Sequence, residues 1–201
     1  MSILFPNGFV VQHLYEQPYG MDDVIRACGY CGLSARNADP LSALPDRESQ
    51  KLSHEASWRA ISEQMVTPLE FISDSSLLLR YVAACQSHNI PIRLLFVESD
   101  YGQEVWTDPI PPKKLLGYEY NTIPIDNQII TDLSWYDPFS AFLKRMNSYG
   151  FFCSMEEVRS FKNAYDQAFA QGEIGDGDME THIFRLSEMK IDDVLPNQRV
   201  E

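Results

Sequence analysis

Cys28-Gly29-Tyr30-Cys31 is the first place along the chain where residue type and spacing could do chemistry, because two thiols at this separation can cycle through a disulfide. That chemistry needs the leading sulfur at a helix N-terminus, where the backbone dipole favours the thiolate. Here the pair follows Asp22, Asp23, Val24 and Ile25, which can open a short helix that Gly29 and Gly32 would end, so the sulfurs fall at the wrong pole. The pair reads as structural. Zinc would need a second pair of ligands, yet Cys85 and Cys153 stand alone and His13, His54, His88 and His182 keep no ligand spacing. Cys31 with His54 as nucleophile and base has only residue type in its favour.

Asp176-Gly177-Asp178-Met179-Glu180 gathers three carboxylates in five residues, as calcium loops do. An EF-hand would continue with further oxygen ligands and a bidentate acid, and Thr181, His182, Ile183 and Phe184 lack them. The stretch reads as a solvated turn, with acids open to a Lys or Arg of another protein. The segment from Glu98 to Lys114 is irregular, since Gly102, Pro109, Pro111 and Pro112 oppose helix and strand, yet it carries Tyr101, Trp106 and Ile110. Aromatic residues on loops are enriched where proteins touch partners. Tyr101, Glu104, Trp106 and Asp108, joined by Asp176 and Asp178, are therefore the candidate partner contacts. The competing reading of Trp106 is a ring tucked beneath its own loop. There is no phosphate loop, dinucleotide turn, Gly-x-Ser-x-Gly elbow or His-Glu-x-x-His motif. No catalytic residue, metal or cofactor is assigned.

The elements that must position these residues are clearest between Asp137 and Leu186. Asp137 can cap a helix with Pro138 in its first position, placing Phe139, Phe142, Leu143 and Met146 on one face. Ser154 with Glu157 forms a capping box, and Met155, Val158, Phe161, Tyr165 and Ala168 recur at helical spacing up to Gly172. The spacing then predicts a strand over Thr181 to Leu186. Upstream, Ile3 to Leu14 predicts a hairpin or two strand fragments about Pro6-Asn7-Gly8. Ser34 to Lys51 reads as an exposed loop, followed by a helix from Ser53 that Pro68 ends and a brief strand over Leu69 to Ile72. Ser75 to His88 is a helix with Leu78, Tyr81, Val82 and Cys85 on one face, and Ile92 to Val97 is a central strand. Leu115 to Ile123 and Gln128 to Trp135 read as two further strands. The expectation is one α+β domain over 1–201, with a mixed or antiparallel sheet, four to five helices packed on it, and exposed loops near 34–51 and 98–114.

The chain has 201 residues, 44% of them hydrophobic, which suffices for a full core. Its 29 acidic and 16 basic side chains give a formal charge of -13, spread as 12 against 7 up to residue 100 and 17 against 9 beyond it. A field of that sign opposes nucleic-acid backbones and favours encounter with a basic surface. Pro6, Asn7 and Gly8 interrupt the first apolar run, and no stretch approaches the roughly 18 apolar residues that span a bilayer, so neither secretion nor a membrane is expected. Four scattered cysteines fit a reducing cytoplasm.

The segments Gly117-Tyr118-Glu119-Tyr120, Ile129-Ile130-Thr131-Asp132-Leu133 and Gly172-Glu173-Ile174-Gly175-Asp176-Gly177-Asp178, in a small acidic α+β chain without catalytic motifs, resemble bacterial immunity proteins that neutralise a cognate toxin. The resemblance covers the C-terminal half and is one of general type, so it carries no site residues across. It implies an inhibitor that covers the active site of a basic toxin domain one-to-one, with the negative field speeding capture. The alternatives from the residues are an enzyme with a dispersed thiol or carboxylate site, and a structural or regulatory assembly subunit. Self-association is left open by the sequence.

Overall fold

Ile92-Arg-Leu-Leu-Phe-Val-Glu-Ser99 shows no polar alternation, and seven of its eight residues are buried. Such a strand needs cover on both faces and neighbours on both sides. In the computed structural model it has both. The structure describes residues 3–13, 41, 44–62, 71–101, 106–110, 112–123, 136–175 and 180–194, which form four strands and five helices. The strands are β1 (Phe5–His13), β2 (Ile92–Ser99), β3 (Lys113–Ile123) and β4 (Glu180–Met189), in one wholly antiparallel sheet of order β1-β2-β4-β3. This is the α+β architecture expected. The candidate segments around Cys28, at 128–135 and at 176–179 lie outside the described residues.

Pro6-Asn7-Gly8 does not reverse the chain, and the expected N-terminal hairpin is instead one strand with a bulge between Pro6 and Gly8. Gly8 sits at φ +146°, and a Cβ there would lie 2.7 Å from the Ile72 carbonyl oxygen. The third position of the supposed turn thus serves close approach, because Phe9 exchanges hydrogen bonds of 3.0 and 2.8 Å with Ile72. That bridge is what the described residues hold of the expected strand at 69–72. β3 has a matching device: its bulge falls between Leu115 and Gly117, and Tyr118 exchanges two 2.9 Å bonds with Phe152.

One sheet face carries Phe9, Val11, Leu94, Phe96 and Met189 beneath α2 (Ser75–Ser87), whose Leu77, Leu78, Tyr81, Val82 and Cys85 are buried. Asp74 caps that helix by accepting from the Leu77 N–H at 2.7 Å. The preceding helix, α1 (Arg47–Ser62), starts six residues before the expected Ser53, so the predicted loop over 34–51 is corrected at its end. Asp46 accepts from the Ser49 N–H at 2.8 Å and nucleates the turn inside a stretch that is too polar to show an apolar period. Arg80 clasps Glu55 with both guanidinium ends, at 2.7 and 3.2 Å, and ties α1 to α2.

Farther along the same face, Tyr120 and Ile183 lie under α3 (Asp137–Leu143) and α4 (Met155–Ala170). The Ser154–Glu157 capping box forms as the sequence implies, and Val158, Phe161, Tyr165 and Ala168 are the buried stripe. α3 differs in one detail, since the Tyr136 carbonyl accepts the Phe139 N–H and makes Tyr136 the cap instead of Asp137. Phe161 meets Phe139 at 5.0 Å and Phe142 at 5.3 Å, edge to face, and each buried ring contributes roughly 1.5–3 kcal/mol. The opposite sheet face packs Val10, Leu95, Val97, Phe184 and Leu186 against Phe71 and Phe151. A short α5 (Ile191–Val194) follows β4.

Candidate functional site

The chain leaves β2 through Ser99, and Asp100 continues the ladder in an unusual way. Its N–H donates to the Ile183 carbonyl at 3.2 Å, while its Oδ1 accepts the Ile183 N–H at 3.0 Å. The same oxygen lies 3.0 Å from His182 Nδ1. Glu180, two residues before His182 on β4 and so on the same sheet face, brings Oε1 to 3.1 Å from Nε2. One imidazole is thus bracketed by two carboxylates, in ion-pair range on both nitrogens. Tyr101 closes the third side, its ring edge-on to His182 at 4.9 Å between centroids. Asn121 lies opposite His182 in the β3–β4 register, fully buried, and donates to the buried Glu119 at 2.8 Å.

Exposure decides what this cluster offers. The His182 side chain is 13% exposed and that of Asp100 23%, whereas Glu180 is 61% exposed. The imidazole is therefore a strut, and the carboxylates and the tyrosine form the outer layer. An Asp–His pair acting as a general base must turn Nε2 toward a substrate. Here Nε2 is buried, facing Glu180 off hydrogen-bond alignment. Since the two carboxylates occupy opposite ring nitrogens, they cannot converge on one metal ion with His182, and the described residues contain no group of three ligands fit for one.

Through the sheet from this end, Tyr120 donates to Thr181 Oγ1 at 2.6 Å, and burial, foremost, holds its phenol well above the ordinary value. It anchors the start of β4 as a neutral donor. On that same face Glu98, only 6% exposed at its side chain, accepts from Lys113 Nζ at 2.6 Å and Arg185 Nε at 2.7 Å. That trio lies between the two helix-covered clusters, and its cations are already engaged.

Of the sequence candidates, Tyr101 stands in the cluster, and Asp176 and Asp178 directly precede Glu180 in the chain but lie outside the described residues, as does Glu104. Asp108 is exposed. Trp106 requires correction as a partner contact: it is 4% exposed, 4.7 Å from the Phe9 ring and 6.5 Å from that of Phe96, with its backbone N–H donating to Pro6. The apolar sheet face beneath it has claimed the ring, and with β2 reaching Ser99 and β3 starting at Lys113, the exposed loop is shorter than 98–114. Sequence reasoning missed Asp100 and His182 as site residues. Glu180 and His182 share a strand face by their spacing alone, but Asp100, 82 residues from His182, leaves no such trace. No helix among the described residues is long and apolar enough to cross a membrane. Comparison of the chain with protein-family models, with curated proteins and with solved structures finds no match.

Proposed function

We propose that this chain is an acidic, cytoplasmic protein-binding module of the immunity type, which inhibits a basic toxin domain by one-to-one contact at the sheet end built from Asp100, Tyr101 and Glu180. The observation that carries this reading is the meeting on His182 of Tyr101, two residues past the end of β2, and Glu180, the first residue of β4. Two partly exposed carboxylates beside a tyrosine ring suit a Lys or Arg side chain, through charge-assisted hydrogen bonds and ring contact. The formal charge of -13 adds long-range attraction for such a partner. An enzyme using His182 as base is disfavoured by the buried Nε2.

The test is co-expression with the product of the adjacent gene. The expected result is protection of the cell and a one-to-one complex whose affinity falls as salt rises. Tyr101→Ala combined with Glu180→Lys should weaken it about tenfold or more while the fold is retained. Neither protection nor a complex would reject the reading, and a complex indifferent to both substitutions would reject this surface.

A further inference from the structure

Arg47-Glu-Ser-Gln-Lys-Leu-Ser-His-Glu55, the first turns of α1, has a single apolar residue, Leu52, and the side chains it buries are Ser49 and Ser53. A helix ordinarily docks through an apolar stripe. Here two polar clasps tie these turns to α2, which runs the other way: Glu55 meets Arg80, and Asp46 and Ser49 meet His88 at the C-cap. His88 Nε2 lies 3.4 Å from Asp46 Oδ2 and 3.3 Å from Ser49 Oγ. That carboxylate oxygen is buried and, among the described residues, has no hydrogen-bond donor, while Oδ1 is taken by the Ser49 N–H. A charged imidazole is the group placed to satisfy it.

The surrounding charges favour that state. A hollow of about 290 Å³ separates the clasps, and the charged groups lining it with His88 are Asp46, Glu48, Lys51 and Glu55 on the α1 side and Arg80 on α2. These acids outnumber the cations by one, and an imidazolium cancels the difference. The last turn of α2 has no basic residue, so its carbonyl end also favours a cation at the C-cap. The positive pole of α1 opposes it, but Asp46 and Glu48 stand at that pole. We propose that His88 is a proton-operated latch: its charged ring holds Asp46 and Ser49, and with them the first turns of α1, against α2, and loss of the proton loosens those turns while the sheet stays folded. The Ser49 N–H, foremost, holds the Asp46 carboxyl below its ordinary value, which keeps it charged throughout the histidine range of about pH 5–8. The ion pair exists only while the ring is charged, so the latch holds on the acid side of that range and slackens on the alkaline side. With the His88 side chain 38% exposed and that of Asp46 39%, water screens the pair and the effect is local and modest. The latch involves none of Asp100, Tyr101 and Glu180 and does not depend on the partner reading.

Hydrogen exchange of the full chain, followed residue by residue at about pH 5.5 and about pH 8 with each amide referred to its unfolded-chain rate, tests it. The opening constant of the amides from Gln50 to Glu55 should rise about threefold between the two, with those of α2 and β2 unchanged. His88→Gln should give the looser value at both, and Asp46→Asn, which keeps the cap but not the charge, should do the same. His54→Gln, at an exposed histidine of the same helix, should keep the rise. No rise, a fall, a rise that survives in either His88→Gln or Asp46→Asn, or its loss in His54→Gln would overturn the proposal.

Discussion

Arg185 and Glu98 face each other across the β2–β4 ladder, and the guanidinium grips the carboxylate side-on, Nε to Oε2 at 2.7 Å and Nη2 to Oε1. Lys113 adds a third contact to the same carboxylate, so one nearly enclosed anion serves two cations. It fixes the seam where the Phe96 cluster under α2 gives way to the Tyr120 cluster under α4.

Replacing Glu98 by alanine should cost about 2–3 kcal/mol in urea unfolding, because Arg185 and Lys113 lose their counter-charge at a desolvated position. The figure lies at the low end for a buried pair since the Arg185 side chain is 33% exposed and water can screen it. A loss under about 0.5 kcal/mol would show that water already carries those cations.

Glu98 also sets an acid limb. Burial raises its proton affinity, but the bonds from Arg185 and Lys113 outweigh burial and hold the carboxyl below its ordinary 4.5. The unfolded chain therefore binds this proton more readily than the folded one. The resulting stability is fully present above the ordinary value and is lost as pH falls through the lower, folded value. Glu98→Gln should flatten the stability–pH curve in that acid window and leave its slope near neutrality unchanged, as urea titrations between about pH 3 and 7 would show.

Gly117→Ala should destabilise by about 2 kcal/mol or more. The residue sits at φ +151°, and a Cβ there would come within 2.6 Å of Phe151 Cβ and 2.7 Å of the Phe152 oxygen. Gly8→Ala meets the Ile72 backbone in the same way and should cost as much. Loss of hydrogen-exchange protection at Tyr118 and Phe152 in the first variant, and at Phe9 and Ile72 in the second, would locate each defect.

Trp106→Ala should act on folding before it acts on any partner, with a loss of about 3–5 kcal/mol as the ring leaves a cavity beside Phe9 and Phe96. Chemical denaturation of the purified variant checks this. A normally stable variant would put the ring back on the surface.

Helices with strong local signals were legible in the sequence. Ser154 and Glu157 announce α4, Asn89 and Pro91 close the helix Ser75–Ser87, and the apolar run at Ile92 marks the central strand. The start of α1 was not, because Asp46 caps a first turn with no apolar face to betray it. Nor was the single N-terminal strand, since Pro6-Asn7-Gly8 is equally good local chemistry for a turn and only the distant Ile72 decides between turn and bulge. The site follows the same rule. Tyr101 drew notice by residue type, whereas Asp100 with His182, Glu98 with Arg185 and Gln12 with Arg93 are partners 81 to 87 residues apart, set together by register alone.

The order β1-β2-β4-β3 also bears on how the molecule is made. Its most apolar strand, Ile92–Ser99, emerges from the ribosome early and finds β1 at once, but its other neighbour, Glu180–Met189, is translated only after some eighty further residues. Until then a greasy ribbon edge stands open, so the nascent polypeptide is sticky during elongation, and overproduction faster than a chaperone can shield it should yield inclusion bodies.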